Sequence, residues 1–387
     1  MTRRRIGGLA LVPAATAQAV PDCSPKPAAK TLLTGQGSME SIASDGLGRL
    51  FYSNSPNNRI MRLDKPGATP KVLATGVPKP GGLAFDANGN LIAGYGDGAV
   101  EGQADNGQAG VFRIDPNTGA KQLVTKGFGM ANGIAIGPDG AIYGSNDFAG
   151  DVDRFLNGKL ETDWAKVPTS NGMAVDRAGK YLYVAQTFKP PSIARVEIAA
   201  PANVTTFVDG PPEDAAAVLD GMVRDDADTL YVTANIAGAV WRVGQDRKLC
   251  ALARGLKNTS MVAFGGGGPG FGAKNLYAVG FGGELTEIVG ATDKPLRAAP
   301  LQPLRVTLSS KKAALGKTVK VKATVSIVGV PGARPAQSAT VRLAGKSAKT
   351  DAKGRATLSV RFSKVRLVRA EASLAGFRRA TAPLNAG

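Results

Sequence analysis

The stretch that decides the fold is Ser170-Asn171-Gly172-Met173-Ala174-Val175-Asp176, followed by Lys180-Tyr181-Leu182-Tyr183-Val184. It predicts a short apolar strand, a turn and a second strand rich in β-forming residues, with Asn171 immediately before the first strand. The same unit recurs five more times, at Glu40-Ser41-Ile42-Ala43, Gly81-Gly82-Leu83-Ala84, Asn132-Gly133-Ile134-Ala135, Asp220-Gly221-Met222-Val223 and Ser260-Met261-Val262-Ala263. Superposition of the six units places one residue of each at an equivalent position: Glu40, Gly81, Asn132, Asn171, Asp220 and Ser260.

Each unit continues into further short strands, so the chain is predicted to be all-β. Turn dipeptides join the first two strands, as at Asp45-Gly46, Asn88-Gly89 and Asp139-Gly140. A fourth strand follows each unit except the last, and one more strand, Lys30-Thr31-Leu32-Leu33-Thr34-Gly35, precedes the first unit. We therefore expect a six-bladed β-propeller over residues 30–296, in which the N-terminal strand completes the last blade and leaves only short edges.

The texture of the sequence changes after Leu296. Pro300 and Pro303 indicate a linker over residues 297–303. Residues 304–387 contain short alternating segments that predict a small immunoglobulin-like (Ig-like) β-sandwich, with a hairpin at Asp351-Ala352-Lys353-Gly354.

The N-terminus has the order of a secretory signal over residues 1–19. Arg3-Arg4-Arg5 precedes a short apolar stretch, and Ala17-Gln18-Ala19 is typical of a cleavage site. A disordered basic tail is the alternative. Residues 20–29 would then begin the exported chain, which we expect to be secreted or associated with a bacterial cell envelope. In that setting Cys23 and Cys250 either pair or remain two unpaired thiols; the sequence leaves both open.

The net charge of +18 is concentrated at one end of the chain. Residues 303–387 hold 18 basic and 2 acidic residues, which leaves 30 basic and 28 acidic residues in the rest. The near-neutral body argues against nucleic-acid binding, and no apolar run is long enough to cross a membrane. The basic domain, residues 304–387, is either an attachment site for anionic cell-wall polymers or a spacer kept soluble by its charge. We expect a monomer.

Histidine is absent from the sequence. This excludes serine or cysteine nucleophiles activated by histidine, zinc sites built on histidine, and imidazole general bases. Chemistry in this chain must therefore rely on carboxylates, amides, hydroxyls, lysine or a metal ion held by oxygen.

The ring of equivalent positions is the candidate site, because residues that precede the innermost strands of a propeller gather at one mouth of its channel. Glu40, Asn132, Asn171 and Asp220 offer two carboxylates and two amide oxygens, which suit calcium better than magnesium, although another divalent cation is possible. Gly81 and Ser260 are small and would leave room for a substrate. Turn hydrogen bonding alone is the other interpretation of these polar residues.

The ends of the second strands face the same mouth and supply candidate substrate contacts. Strand alternation brings Asn54, Asp97, Asn146, Asp147, Gln186 and Asn235 to the rim. Of these, Asn54, Asn146, Asp147 and Asn235 are expected to contact the substrate, together with Asn132. The glycine-rich loop over residues 94–110 is either a lid or a tolerated insertion.

The ring motifs resemble those of the SMP-30/gluconolactonase/luciferin-regenerating-enzyme family and, more distantly, diisopropyl fluorophosphatases and paraoxonases. The matching segments are Met39-Glu40-Ser41, Ala131-Asn132-Gly133, Ser170-Asn171-Gly172 and Leu219-Asp220-Gly221-Met222. The resemblance implies a calcium ion bound by Glu40, Asn171 and Asp220, with Asn132 as a ligand or substrate contact. Sugar lactonases of that family carry an arginine where this chain has Met130, which argues against a phosphorylated or sugar-acid substrate.

Two functions of different classes follow from these observations. The first is calcium-dependent hydrolysis of a lactone or related ester, with Asp220 as the residue that accepts a proton from the attacking water. The second is a non-catalytic binding or scaffold module, similar to NHL propellers, attached to the cell envelope. A streptogramin-opening lyase is disfavoured, because that family is known to rely on histidines.

Overall fold

The computed structural model describes residues 19–188, 190–297 and 299–387. Within these residues the chain forms strands and turns, with one short α-helix, α1 (Ala99–Ala104), and two single 3₁₀ turns, Ser55–Asn57 and Pro212–Asp214. The all-β prediction is confirmed. The proposed signal, residues 1–19, lies outside the described residues except for its last residue. None of the described helices has the length and apolar character needed to span a bilayer.

Residues 29–288 form six four-stranded antiparallel sheets, here given from first to last strand. The first three are β2 (Ile42–Ser44), β3 (Leu50–Asn54), β4 (Arg59–Leu63), β5 (Lys71–Thr75); β6 (Pro80–Phe85), β7 (Leu91–Tyr95), β8 (Ala109–Ile114), β9 (Lys121–Phe128); and β10 (Ile134–Ile136), β11 (Ile142–Asn146), β12 (Asp151–Leu156), β13 (Lys159–Lys166). The others are β14 (Ser170–Val175), β15 (Tyr181–Gln186), β16 (Ser192–Glu197), β17 (Ala200–Asp209); β18 (Leu219–Arg224), β19 (Leu230–Ala234), β20 (Ala239–Val243), β21 (Leu249–Arg254); and β22 (Thr259–Phe264), β23 (Leu276–Gly280), β24 (Leu285–Ile288), β1 (Ala29–Leu33).

The N-terminal strand β1 joins the two ends of this β-propeller. It pairs antiparallel with β24, with Ala29 opposite Ile288, which is the pairing that the sequence predicts. A disulfide between Cys23 and Cys250, whose Cα atoms lie 4.9 Å apart, fixes the segment before β1 to β21. Of the two alternatives left open by the sequence, the structure contains the pair.

The first strands of the sheets contact one another in a closed circle. β2 contacts β6 and β22, and the contacts continue through β10, β14 and β18 back to β22. Aspartates fix the turn after the first strand in four of the sheets. In the first sheet, Oδ1 of Asp45 accepts hydrogen bonds of 3.0 Å from the backbone N–H groups of Leu47 and Arg49. Asp86, Asp176 and Asp225 cap the equivalent turns in the same way.

Glycines after the ring residues set how closely neighbouring sheets approach. A Cβ atom on Gly172 would lie 2.3 Å from the carbonyl oxygen of Asp220. A Cβ on Gly133 would lie 2.5 Å from the carbonyl oxygen of Asn171, and one on Gly82 would lie 2.9 Å from that of Asn132. Only glycine fits at such a distance. Each of these sheets therefore packs against the backbone of the ring residue in the next sheet.

Two joints of the circle lack this glycine and use serine hydroxyl groups instead. Oγ of Ser41 accepts a hydrogen bond of 3.0 Å from the backbone N–H of Leu83. Oγ of Ser260 donates a hydrogen bond of 2.7 Å to the carbonyl oxygen of Met39. The prediction that Gly81 and Ser260 leave room for a substrate is wrong. Ser260 is a buried joint, and a Cβ on Gly81 would lie 2.1 Å from the carbonyl oxygen of Ala131.

The C-terminal residues form two further sheets packed on one apolar core. The first contains β25 (Leu304–Leu308), β27 (Thr318–Ile327), β28 (Arg334–Pro335) and β31 (Arg355–Arg361). The second contains β26 (Lys312–Ala313), β29 (Thr340–Leu343), β30 (Lys346–Lys349), β32 (Arg366–Ser373) and β33 (Ala380–Ala386). The hairpin predicted at residues 351–354 is wrong. Asp351 caps a tight turn, but that turn joins β30 to β31, which belong to different sheets.

The segment between the propeller and these sheets is anchored by Gln302. This side chain is buried, and its Nε2 donates hydrogen bonds to Oδ1 of Asn90 at 3.1 Å and to Oδ2 of Asp115 at 3.0 Å. Nη2 of Arg334 also lies 3.0 Å from Oδ2 of Asp115, whose side chain is fully buried. An ion pair and a polar network therefore connect the C-terminal sheets to the second sheet of the propeller.

Candidate metal centre and active site

Six of the eight candidate site residues line one cavity of about 480 Å³ at a mouth of the ring. They are Glu40, Asn132, Asp147, Asn171, Asp220 and Asn235. The four proposed cation ligands among them also line the narrow space directly beneath, together with the glycines of the ring. The structure therefore brings side chains from sheets far apart in the sequence to one place, as the superposition of the repeats predicts.

A backbone irregularity places the ring side chains. In four sheets the ring residue is the second residue of the inner strand rather than the residue before it, which corrects the predicted boundary. The pairing of β14 with β15 shifts between Ser170 and Met173, and the pairing of β18 with β19 shifts between Leu219 and Met222. Such bulges turn side chains out of the regular alternation. Asn171 and Asp220 lie within these two bulges and reach the cavity.

Hydrogen bonds orient Asn171 and Asp220, the two buried residues among the four proposed cation ligands. Nδ2 of Asn235 donates to Oδ2 of Asp220 at 3.0 Å. Nδ2 of Asn171 donates to Oγ1 of Thr187 at 2.9 Å, which leaves its amide oxygen free to face the cavity. Asp147 differs from both, because its buried Oδ1 has no hydrogen-bond partner. A buried carboxylate oxygen without a partner is costly, and a bound cation would satisfy it.

Four carboxyl groups share this cavity and perturb one another. Burial raises the pKa of Asp220 to about 7 and that of Asp147 to about 6. Burial also raises the pKa of Glu40 well above its usual range, and the nearby charges of Asp97, Asp220 and Asp147 raise it further. Asp97 shifts in the same direction for the same reasons, with a hydrogen bond to Asn132 opposing the shift. Their concentration without a cationic partner favours a divalent cation.

The donor atoms fit a hard cation. Carboxylates from Glu40, Asp147 and Asp220 and amide oxygens from Asn132 and Asn171 are the ligands that calcium prefers. Asp97 adds a fourth carboxylate; strand alternation places it on the rim, but the ring motifs gave no reason to single it out. None of the described lining residues is a lysine or an arginine. These oxygen donors could therefore hold a calcium ion or another divalent cation.

Two predicted substrate contacts lie elsewhere. Nδ2 of Asn54 donates to the carbonyl oxygen of Gln36 at 2.6 Å, and its Oδ1 accepts from Nδ2 of Asn57 at 2.7 Å. Asn146 is buried; its Oδ1 accepts from the backbone N–H of Phe148 at 3.2 Å, and its Nδ2 donates to the carbonyl oxygen of Gly102 at 3.1 Å. Neither residue lines the cavity, because both amides are committed to holding loops in place.

The loop over residues 94–110 forms one wall of the cavity. Its helix α1 follows Asp97 and Gly98, both of which line the cavity. An ion pair of 2.7 Å between Lys79 and Glu101 fixes the start of this helix. Met130 lines the cavity beneath Gly102, where a Cβ would lie 2.7 Å from its sulfur atom. Met130, which stands where sugar lactonases carry arginine, therefore packs against the loop as an apolar side chain.

A second acidic cluster lies beyond the helix. Carboxylate oxygens of Asp105, Asp151 and Asp163 all lie within 4.8 Å of one another. Nζ of Lys166 lies 2.5 Å from Asp163 and 3.5 Å from Asp151, so it partly neutralises the cluster. Its three carboxylates are consistent with a divalent cation. A divalent cation therefore has two possible sites in this protein, namely the carboxylates of the cavity and this second acidic cluster.

The chain is similar to known proteins over its propeller. Residues 147–277 match the family model of the SMP-30/gluconolactonase/LRE-like region. No curated protein is similar enough in sequence to count as a match.

Three solved structures illustrate the shared fold. A gluconolactonase from Xanthomonas campestris is 19% identical with a TM-score of 0.55, over 72% of this chain and 99% of the other. The calcium-binding protein regucalcin from Agrobacterium tumefaciens is 18% identical with a TM-score of 0.54, over 70% and 97% of the two chains. A luciferin-regenerating enzyme is 12% identical with a TM-score of 0.54, over 70% and 98%. The chain is thus a β-propeller protein that resembles the SMP-30/gluconolactonase/LRE-like family, which confirms the resemblance inferred from the ring motifs.

Proposed function

We propose that this chain is an exported, calcium-dependent hydrolase that opens a lactone or related ester at the mouth of the channel. The observation that carries the proposal is the convergence of Glu40, Asn132, Asn171 and Asp220, from four sheets, on one cavity. The similarity to a gluconolactonase supports the reaction class, and the similarity to a calcium-binding regucalcin supports the ion. Glu40, Asn171 and Asp220 would bind the cation, and Asn132 would bind either the cation or the substrate.

The side chains of this chain have separable roles in that reaction. A bound cation would supply Lewis-acid stabilisation of the negative charge that develops on the carbonyl oxygen. Asp220 accepts the proton of the attacking water, and Asn235 holds the carboxylate in place through its 3.0 Å hydrogen bond. The water oxygen bonds to the carbonyl carbon, the ester C–O bond breaks, and the alkoxide that leaves takes up the proton. Asp147 and Asn235 line the cavity. Asn235 would contact the substrate, and Asp147 would contact either the substrate or the cation through its unpartnered oxygen.

The hydrolase proposal is tested with purified protein and a chemically varied panel of lactones, followed with a pH indicator with and without a chelator. We expect turnover that the chelator abolishes and that added calcium restores. Chelator-insensitive turnover would contradict the role of the ion. No turnover of any lactone would favour the non-catalytic binding or scaffold module instead.

The architecture and compartment that accompany this function are also proposals. The six four-stranded sheets would be the blades of a six-bladed propeller over residues 30–296, and residues 304–387 would be an Ig-like module that follows a linker at 297–303. Residues 1–19 would be a secretory signal. The Cys23–Cys250 disulfide supports export, because such bonds persist in oxidising compartments.

The C-terminal module has a surface suited to an anionic cell-wall polymer. On the sheet that contains β25, β27 and β31, the exposed face carries five basic side chains, namely Arg305, Lys320, Lys322, Arg355 and Arg361. The other exposed side chains of β25, β27 and β31 on this face are hydroxyl residues. A flat, positively charged face of this kind attracts polyanions in a salt-dependent manner.

Charge reversal in the full-length protein tests this attachment. The triple variant Lys320→Glu/Lys322→Glu/Arg355→Glu should abolish binding to isolated cell walls at low salt. The control variant Lys65→Glu/Lys248→Glu/Lys257→Glu alters three exposed propeller residues and changes the net charge by the same amount. It should retain most of the binding. An equal loss in both variants would show that net charge alone is responsible, and no loss in either would exclude the attachment.

A further inference from the structure

Four exposed apolar side chains stand at the mouth of the cavity. Phe148, Phe188, Ile236 and Phe281 line it, although 38%, 59%, 64% and 43% of their surfaces are accessible. Among the described residues, every exposed phenylalanine belongs to this group, and Ile236 is the one exposed isoleucine. Large side chains that remain in water beside a polar site indicate a surface that a ligand covers.

The repeat explains how these side chains come together. Phe148 follows β11, Phe188 follows β15, Ile236 follows β19 and Phe281 follows β23, each within two residues of the end of the second strand. These four sheets are consecutive around the ring, so the side chains form an apolar crescent along one side of the mouth. The ring centres of Phe148 and Phe188 lie 5.5 Å apart, which makes that part of the crescent continuous.

The crescent lies next to the groups proposed to carry the reaction. Asp147 precedes Phe148, Thr187 precedes Phe188 and Asn235 precedes Ile236, so each polar residue faces the cavity beside an apolar one. A substrate whose ester group reached the ring of carboxylates would therefore hold its substituent against the crescent. The described lining residues include no lysine or arginine, so the cavity has no basic side chain to bind an anionic substituent.

We infer that the substrate is a lactone or ester with an apolar alkyl or aryl substituent, which packs on Phe148, Phe188, Ile236 and Phe281. This inference rests on the proposed hydrolase function and narrows its substrate class. A polyhydroxylated sugar lactone would leave the crescent exposed and lose the stabilisation that burial provides. A substituent of several methylenes would cover it, at about 0.8 kcal/mol for each fully buried methylene, which is about fourfold in binding.

The test measures kcat/KM for δ-lactones with alkyl substituents of increasing length, from δ-valerolactone to δ-dodecalactone, with glucono-δ-lactone as the polar comparison. We expect kcat/KM to rise about two- to fourfold per methylene until the crescent is covered. Phe188→Ala should lower kcat/KM about tenfold more for the long lactones than for δ-valerolactone, which has no substituent to pack on the crescent. Leu367→Ala, which removes a side chain 58% exposed on the C-terminal module, should change neither. A flat dependence on chain length, or equal effects of both variants, would overturn the inference.

A binding measurement separates this inference from the proposed reaction. Alkylated cyclopentanones resemble lactones but have no ester bond to hydrolyse. Calorimetric affinity that rises with alkyl length and falls in Phe188→Ala would support the apolar subsite even if no lactone were turned over; the absence of turnover would then count against hydrolysis alone. Lactone turnover together with length-independent ketone binding would retain the hydrolase and remove the apolar subsite.

Discussion

Nδ2 of Asn235 donates a hydrogen bond of 3.0 Å to Oδ2 of Asp220, and both side chains are buried. Burial raises the pKa of Asp220 to about 7, and this hydrogen bond opposes the rise by stabilising the charged form. The pair therefore sets how readily Asp220 accepts a proton near neutral pH.

Asn235→Ala is expected to move the acidic limb of the pH–activity profile to higher pH. Loss of a hydrogen bond to a charged group costs about 1.5–3 kcal/mol, which corresponds to about one to two pH units. In the metal-free variant Asp220 would then remain protonated to higher pH. Because calcium binds the deprotonated carboxylate, calcium binding and the activity that depends on it should be low at pH 7 and recover in part by pH 9. Lactone turnover measured from pH 5 to 9 checks this, and an unshifted limb with a uniform loss of activity would show that Asn235 acts only by contact.

Calcium should stabilise the protein more at high pH than at low pH. The folded-state pKa values of Asp147 and Asp220 are raised to about 6 and about 7, so the metal-free folded protein binds more protons than the unfolded chain between about pH 4 and 7. Its stability therefore falls as pH rises through this window. Calcium binds the deprotonated carboxylates and offsets that loss.

Thermal unfolding with calcium and with chelator at pH 5 and pH 8 tests this dependence. The calcium-induced rise in Tm should be several degrees larger at pH 8. Asp220→Asn removes a buried charge without changing shape, so at pH 8 the chelated variant should unfold at or above the Tm of the chelated parent. A calcium effect that is the same at both pH values would contradict the assignment of these carboxylates.

Gly172→Ala should destabilise the ring and the site together. The new methyl group would lie 2.3 Å from the carbonyl oxygen of Asp220, and the backbone of one sheet must move to accept it. We expect a loss of about 1–3 kcal/mol in unfolding free energy, as for other overpacking changes, and weaker calcium binding. Gly282→Ala is the matched control, because a methyl group there would meet no atom closer than 4.0 Å. Equal denaturation midpoints for the two variants would show that the close approach is unimportant.

Removal of the disulfide should lower stability without abolishing the site. The bond between Cys23 and Cys250 spans 227 residues, and loss of such a crosslink typically costs about 2–5 kcal/mol. The double variant Cys23→Ser/Cys250→Ser should therefore have a lower Tm while retaining calcium binding at 20 °C. Loss of calcium binding from the folded variant would mean that the N-terminal segment also positions the ring.

The repeat made much of this structure predictable from the sequence. Six units with one residue each at an equivalent position predict both the sheets and the meeting of Glu40 with Asp220, because every repeat contributes the same element to a common centre. The pairing of β1 with β24 follows from counting fourth strands.

The remaining features depend on information that the repeat does not carry. Asn54 and Asn146 are the last residues of β3 and β11, whereas Asn235 directly follows the last residue of β19. The amides of Asn54 and Asn146 donate hydrogen bonds to loop backbones instead of facing the cavity. Loop geometry decides this, and strand alternation cannot reveal it. The ring motifs give no reason to choose Asp97 among the polar rim residues, and the apolar crescent carries no signal in those polar motifs. The turn at residues 351–354 has hairpin chemistry but crosses between sheets, since local capping does not specify the partner strand.

Calcium titration of the metal-free protein tests the central claim most directly. Calorimetry should detect the binding of one calcium ion. Asp220→Asn or Glu40→Gln should lower the calcium affinity at least tenfold, whereas Asp151→Asn, which alters only the second acidic cluster, should leave it unchanged. Binding that Asp151→Asn removes and that Asp220→Asn and Glu40→Gln leave unchanged, or no calcium binding at all, would contradict a calcium site at the channel mouth.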